Sequence, residues 1–590
     1  MRLFFCIFTL CLAPLLLHAE DVRYTVEFEG LQDGKALKAI KSVSQLNSLK
    51  KRPPASMNAL RYRAESDIPA LIQVLHVHGY YEAQIDTHIE EVSGRISVIV
   101  MIDPGPAYPL EAYQIHLFCE QAENSASCCA IPLESIDVHL GKPALTKNIL
   151  NAELNLLQKL SECGYPLAQI KKREVIVDGK TQSVRVDLFV DSGEKAFFGP
   201  DSVIGTKRVN PLYIQRKLEW TEGEEYNSEL VEKTQSNLIA SGLFNSVLIT
   251  HGEDPYSNGE LPMKIEVNET KHQSVNVGVS YQTVFGPGIT FGWENRNVAG
   301  MGRRLSFQGD VTFISQTGVA TYLHPDFFVL DQDYIWRGEA EHEALFAYSM
   351  RSYNLMNRVD RRFGKRIRLG MGLQGERLFI TASKKQNGEF WLAEIPLYVR
   401  FSTANDLLDP TKGVVLEGTL IPSINIREST NAYFTQTISE SSYFPLNKSR
   451  SVVIAQKLTL GMTWSDSLEV IPLSKRFLGG SEEDLRGYRY RTVSPLLDNK
   501  PIGGRSAVYF TLETRLRVSK AIGLVPFFDV GNVYSTLFPT WDGKWLKSTG
   551  LGIRYFSFMG PFRLDVAFPL NRRKGIDPVY KILVSIGQTF

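Results

Sequence analysis

From about residue 271 to Phe590 the chain alternates between apolar and polar or small residues, with little helical periodicity. Val275, Val277, Val279 and Tyr281 fall on one side of an extended chain, and Ser274, Asn276, Gly278 and Ser280 on the other. Leu305, Phe307, Val311 and Phe313 alternate in the same way with Ser306, Gln308, Asp310 and Thr312. A single strand of this kind also suits a half-buried soluble sheet. A stretch of about 320 residues is more demanding, because it has Gly-rich turns, 43 of the chain's 63 aromatic residues and six of its seven Trp. It predicts an all-β transmembrane barrel whose outward face meets lipid. At roughly 20 residues per strand and connection, the stretch accommodates about 16 antiparallel strands. Helical spans are excluded, since no run of 18 apolar residues follows the first twenty positions.

Met1–Ala19 starts with Arg2, runs apolar from Leu3 to Leu17 and ends Leu17-His18-Ala19, the pattern of a secretory signal peptide. Export is therefore expected. Without Arg2, 64 basic residues balance 64 acidic ones, so no global field draws in nucleic acid. Cys6 and Cys11 leave with the leader. Cys119, Cys128, Cys129 and Cys163 remain within 45 residues, and in an oxidising compartment one or two disulfides are expected, with three complete pairings open. C-x-x-C spacing is absent, so neither a metal nor another cofactor is expected.

Ahead of the alternating half, three segments share one pattern: Ser66 to Ile85, Asn151 to Ile170, and Val231 to Ile249. Each reads as an amphipathic helix of about three turns ending at a glycine suited to a left-handed terminus, namely Gly79, Gly164 and Gly242. A short strand follows each, then a second alternating strand at Ile96 to Ile102, Val184 to Val190 and Leu261 to Val267. The glycines recur 85 and 78 residues apart, a spacing that fits complete α+β modules in tandem. The expected organisation is a leader at 1–19, modules at 20–105, 106–193 and 194–270, and a barrel at 271–590.

Counting back by twos from Phe590 gives Gln588, Ile586, Val584, Ile582 and Tyr580, an apolar face with one polar interruption. A terminal carboxylate cannot sit in hydrocarbon, so Phe590 is expected at a membrane interface. This ending resembles the C-terminal signal of bacterial outer-membrane proteins. Phe477-Leu478-Gly479-Gly480, Leu485-Arg486-Gly487-Tyr488, Gly503-Gly504, Glu513, Phe528 to Tyr534 and Gly587-Gln588-Thr589-Phe590 occur in the order and spacing of the BamA/TamA superfamily. The resemblance covers nearly the whole mature chain. It implies periplasmic POTRA modules of β-α-α-β-β form before a 16-stranded barrel. It also implies that Arg486, on a long loop folded back into the barrel, contacts Glu513 and Asp529 on the inner wall. Leu485 and Tyr488 stand where the family has Val and Phe, which removes neither charge nor ring. A guanidinium can hold a carboxylate bidentately. Gly487 would permit a tight tip, Tyr488 would pack it, and Gly479, Gly480 and Leu485 would support it.

Three modules and this length resemble the TamA branch more than BamA, which typically has five modules, or two-partner secretion translocators, which typically have two. The resemblance then implies a non-enzymatic outer-membrane assembly factor for nascent β-barrel or autotransporter-type clients, partnered by a TamB-like protein anchored in the inner membrane. Its route would be a lateral seam in the lipid bilayer. The first strand brings Val275, Val277, Val279 and Tyr281 to that seam, and the last brings Ile582, Val584, Ile586, Gly587 and Phe590. Gly587 would kink the last strand. The rival is a translocator passing an exoprotein through the lumen. An enzyme is not expected: Gly370 to Gly375 fits G-x-G-x-x-G but has no following helix, and no nucleophile elbow or Walker loop occurs.

Overall fold

The computed structural model describes residues 22–92, 95–118, 131–252, 256, 258–382, 387–427, 431–558, 560–588 and 590. The leader and Cys119, Cys128 and Cys129 lie outside them. Cys163 is disulfide-bonded.

The first part of the chain builds three small sheets. The first is formed by β1 (Tyr24–Glu29), β2 (Gln84–Val92) and β3 (Arg95–Asp103) in the order β1-β3-β2, with β1 parallel to β3. The helices α1 (Gly34–Val43), α2 (Gln45–Ser48) and α3 (Met57–Val77) come between β1 and β2. Leu60, Ala64, Leu71 and Leu75 of α3 fall on one face and pack with Ile40, Leu46, Val98 and Val100. Helix α3 is 21 residues long, starting well before Ser66 because Ser56 caps it by accepting from the Ala59 amide at 3.2 Å. Pro69 lies inside α3, where proline removes a backbone hydrogen bond and strains the preceding turn, and the helix runs through it. Buried Asp67 offsets part of that strain by accepting from Ser44 Oγ and from the amides of Gln45 and Leu46, which ties α3 to the start of α2.

The second sheet has the order β4-β6-β5, from β4 (Leu110–Phe118), β5 (Gln169–Asp178) and β6 (Ser183–Asp191), and α4 (Thr146–Glu162) packs on it through Ile149, Leu156 and Leu160. The third has the order β7-β9-β8, from β7 (Phe197–Ile204), β8 (Phe244–His251) and β9 (Glu260–Glu269), with α5 (Pro211–Gln215) and α6 (Ser228–Ala240) between β7 and β8. Gly79, Gly164 and Gly242 have φ of +87°, +90° and +71°.

From Gln273 onward one antiparallel sheet takes over. Its strands are β10 (Gln273–Gln282), β11 (Gly286–Val298), β12 (Arg303–Thr312), β13 (Ser315–His324), β14 (Gln332–Ala344), β15 (Ser349–Phe363), β16 (Ile367–Thr381), β17 (Gly388–Glu394), β18 (Leu397–Ser402), β19 (Gly413–Asn425), β20 (Ala432–Pro445) and β21 (Val452–Trp464). A long loop carrying the small hairpin β22 (Leu496–Leu497) and β23 (Lys500–Pro501) follows. The wall resumes with β24 (Ser506–Arg517), β25 (Ile522–Tyr534), β26 (Leu546–Ser557), β27 (Gly560–Pro569) and β28 (Lys581–Ile586). Seventeen strands are hydrogen-bonded in chain order. However, β17 and β18 each pair with both β16 and β19, so they form one crossing broken at Ile395-Pro396. The wall therefore has 16 crossings.

Register separates the two faces. Val275, Phe291 and Trp293 share the outer face with Phe307 and Ile289 through the pairs Val275↔Trp293, Val277↔Phe291 and Trp293↔Phe307. Val279 is 92% exposed there, as expected of a side chain that meets lipid rather than protein. The inner face carries Glu513, Arg515, Asp529, Arg554, Arg563 and Asp565, all buried. Among the described residues no helix is long and apolar enough to span a membrane.

The chain end departs from the sequence reading. Gly587 has φ of +92° and its amide donates to Pro561 O at 2.8 Å, which breaks the period-two count that ran the apolar face on to Phe590 at a membrane interface. Phe590 instead packs with the inner-face cluster of Val415, Tyr443, Val453 and Ala455. A guanidinium and an aromatic pocket accept the terminal residue, and the hydrocarbon boundary does not have to.

Candidate functional site: the lumenal clasp and the seam

The loop between β21 and β24 is held from several sides. Asp484 accepts from the Gly480 amide at 2.7 Å and from Ser481 Oγ at 2.8 Å, shaping the turn that leads to the tip. Leu485 follows with φ of +44°, a left-handed conformation costly for a branched side chain and compensated by its complete burial against Tyr488 and Val493. Gly479 lies against Tyr509, with room for no side chain: a Cβ there would stand 2.8 Å from the ring.

Arg486 is fully buried. Its Nη2 donates to Asp529 Oδ1 at 2.7 Å and its Nε to Asp529 Oδ2 at 3.1 Å, a bidentate grip reinforced by the Arg486 amide on the same Oδ2 at 3.1 Å. Nη1 donates to Glu513 Oε1 at 2.8 Å and to Asp565 Oδ2 at 3.2 Å. The guanidinium carbon lies over the Phe527 ring, 3.5 Å from its centroid. Tyr488 caps the arrangement: its hydroxyl donates to Lys547 O at 2.9 Å and accepts from the Lys547 amide at 3.1 Å. Gly487 is not left-handed; it is small because the wall is close, and a Cβ would stand 2.7 Å from Pro569 N. The structure thus brings Arg486, Gly487, Tyr488, Glu513 and Asp529 together.

Four participants were not singled out from the sequence: Asp565, Arg554, Arg563 and Arg515. Asp565 also accepts from Arg554 Nη1 at 2.5 Å and from Arg563 Nε at 2.8 Å, while Glu513 Oε2 accepts from Arg515 Nε at 3.0 Å. Four arginines therefore face three carboxylates in a buried cluster. The signal was present as parity: in Phe562-Arg563-Leu564-Asp565-Val566 the charges alternate with apolar residues and must share the inner face.

The first and last strands behave differently from every other neighbouring pair. Strand β10 pairs with β11 over ten residues and β27 with β28 over six, but among the described residues no ladder joins β28 to β10. The Val584 amide donates to Thr283 Oγ1 at 3.3 Å, and this side-chain contact brings the two ends of the sheet side by side. Val275, Val277 and Tyr281 on one side, and Ile582, Val584 and Ile586 on the other, are exposed on the outer face. Gly587 and Phe590 turn away from it.

Comparison with known proteins agrees with this geometry. Residues 297–590 match the Omp85 superfamily domain, and residues 201–270 match POTRA, the surface antigen variable number repeat. The outer membrane protein assembly factor BamA of Nitratidesulfovibrio vulgaris is 22% identical over 551 residues, which cover 89% of this chain and 68% of the relative. The crystal structure of Haemophilus ducreyi BamA lacking POTRA domains 1–3 shares the fold at a TM-score of 0.66 and 18% identity, covering 80% of this chain and 99% of that one. CdiB from Acinetobacter baumannii aligns at a TM-score of 0.45 and 14% identity, covering 82% and 90%. A barrel of this kind with POTRA modules before it lies in the outer membrane, its N-terminal modules in the periplasm. Together the Omp85 match over 297–590 and the POTRA match over 201–270 support the BamA/TamA superfamily for this chain.

Proposed function

We propose that this chain is an outer-membrane assembly factor of the TamA type, which inserts, folds or translocates β-barrel or autotransporter-type clients at the seam between β10 and β28. One observation carries the reading: a wall of laddered strands has a single junction with no ladder among the described residues. Backbone groups along the edge of β10 are then available to an incoming strand, and edge-to-edge pairing supplies the hydrogen bonds that a client strand needs inside a bilayer. The name carried by the N. vulgaris relative, an outer membrane protein assembly factor, supports the same class of work. The clasp fits it as well, because Arg486 fixes the long loop against β24, β25 and β27 and stiffens the wall beside the seam. The three small sheets ahead of the barrel, read as modules 20–105, 106–193 and 194–270, offer edge strands to clients and to a TamB-like partner anchored in the inner membrane. Cys163 and the cysteines at 119, 128 and 129 would brace the second of them.

A disulfide across the seam, from Thr283→Cys and Val584→Cys, tests the route. Client assembly should stop under oxidation and resume on reduction. Undiminished assembly through a locked seam overturns lateral opening and favours passage through the lumen.

A further inference from the structure

The chain leaves the wall after Ser402 and returns at Gly413, on the mouth where β10 begins and β28 ends. The connection is stiff rather than slack. Asn405 Oδ1 accepts from the amides of Thr411 at 3.0 Å and Lys412 at 2.9 Å, and Asp406 Oδ1 accepts from the amides of Leu408 and Asp409, both at 2.8 Å. Side-chain oxygens thus hold the tip in shape from within.

The tip reaches well beyond its neighbours in the sheet. Six strands, β20, β21 and β24 to β27, separate β19 from β28. Yet the Gln588 amide donates to Leu408 O at 3.1 Å, and Gln588 Nε2 donates to Asp409 Oδ1 at 2.9 Å. Pro410 O accepts from Arg515 Nη1 at 3.2 Å, and Asp409 Oδ2 lies 3.7 Å from Arg517 Nη2. The same tail is held from the wall: Arg554 Nε donates to Gln588 Oε1 at 2.9 Å and Arg515 Nη2 to Phe590 O at 3.0 Å.

We propose that residues 403–412 form a strap that draws the C-terminal tail into the lumen and so keeps the seam unzipped. The inference rests on the lateral-opening reading and specifies how that opening is regulated. A tail turned in at Gly587 leaves β28 only six residues long beside a ten-residue β10. Were it straight, antiparallel pairing continued from the contact of Val584 with Thr283 would set Phe590 opposite Val277 and cover the free edge. The strap prevents that by giving Gln588 its hydrogen bonds elsewhere. A client strand then meets an open edge rather than one already filled by the chain's own terminus.

The test uses the full-length protein in the outer membrane, with cysteines at Val277 and Phe590 as the reporter of a straightened tail. With the strap intact their disulfide should form slowly. Asp409→Ala removes one bond to the tail and should raise its yield about fivefold, the shift that one net hydrogen bond produces. Asp406→Ala touches neither tail nor seam and loosens only the strap, so it should raise the yield in the same direction. In the chain without the reporter cysteines both variants should slow client assembly. An unchanged or lowered yield in both variants overturns the strap. The Thr283→Cys and Val584→Cys lock separates the two ideas: if it blocks assembly while the strap variants do nothing, lateral opening stands and the strap falls. If the reporter responds but the lock is harmless, the strap is real and lateral opening fails.

Discussion

Asp565 stands between Arg486 and Arg554, accepting from the first at 3.2 Å and from the second at 2.5 Å. Since Arg554 also holds Gln588, one carboxylate links the tip of the long loop to the C-terminal tail. Asp565→Ala would leave three buried guanidinium groups, those of Arg486, Arg554 and Arg563, short of a partner and should cost the barrel about 3–5 kcal/mol. A lower temperature for the heat-dependent gel-mobility shift of the folded barrel reads this out. A variant with wild-type behaviour would show Asp565 to be a bystander.

Arg486→Ala removes a guanidinium that, alone among the described residues, pairs with Glu513, Asp529 and Asp565 together, and should impair barrel stability and client assembly far more than Arg489→Ala. Arg489 lies over the Phe346 ring, 4.1 Å from its centroid, a contact worth about 0.5–2 kcal/mol at most. Arg486→Lys keeps the charge but loses the planar fork, so its effect should fall between the two. Equal effects of the Arg486 and Arg489 changes on gel mobility and assembly would count against the clasp.

Gly487→Ala tests close approach rather than backbone conformation. Its Cβ would stand 2.7 Å from Pro569 N and 2.8 Å from Phe568 C, so the tip must back away from the wall. Limited proteolysis should then cut the long loop several-fold faster, in line with an overpacking cost of about 1–3 kcal/mol. Gly375→Ala, where a Cβ would meet nothing within 4 Å, is the control and should behave as wild type.

Glu269, at the end of β9, gives a pH dependence. Burial alone would raise its carboxyl, but the amides of Val209, Lys207 and Arg208 outweigh it and hold the group below the ordinary carboxylate range. A depressed folded value means that the stabilisation is present above the unfolded value of about 4.3 and fades as acid protonates the folded form. Hydrogen exchange at the amides of 207–209 should therefore be protected at neutral pH and lose that protection on acidification. Glu269→Gln should flatten the profile, and a pH-independent wild type would remove the argument.

Much of this was legible one residue at a time. The alternation of Val275 to Tyr281 and the glycines ending three helices are local patterns, and local patterns survive in a sequence, whereas Arg486, Glu513 and Asp529 were connected only by what the resemblance to the BamA/TamA superfamily implies. Phe590 was misplaced because the count by twos assumes a continuous strand, and one left-handed glycine cancels the parity for every residue after it. Asp565 was missed because its partner is 79 residues away.

The amino-acid sequence determined the periodicity, and with it a wall with one face for lipid and one for charge, preceded by small α+β units. It also supplied the cations and anions that the inner face would carry. Only the closed sheet decided which of them meet. Closing a strip into a ring brings distant strands within hydrogen-bond reach across a lumen, as Leu408 and Gln588 show, and leaves the two ends of the strip to settle their own pairing. That long-range geometry has no period along the chain.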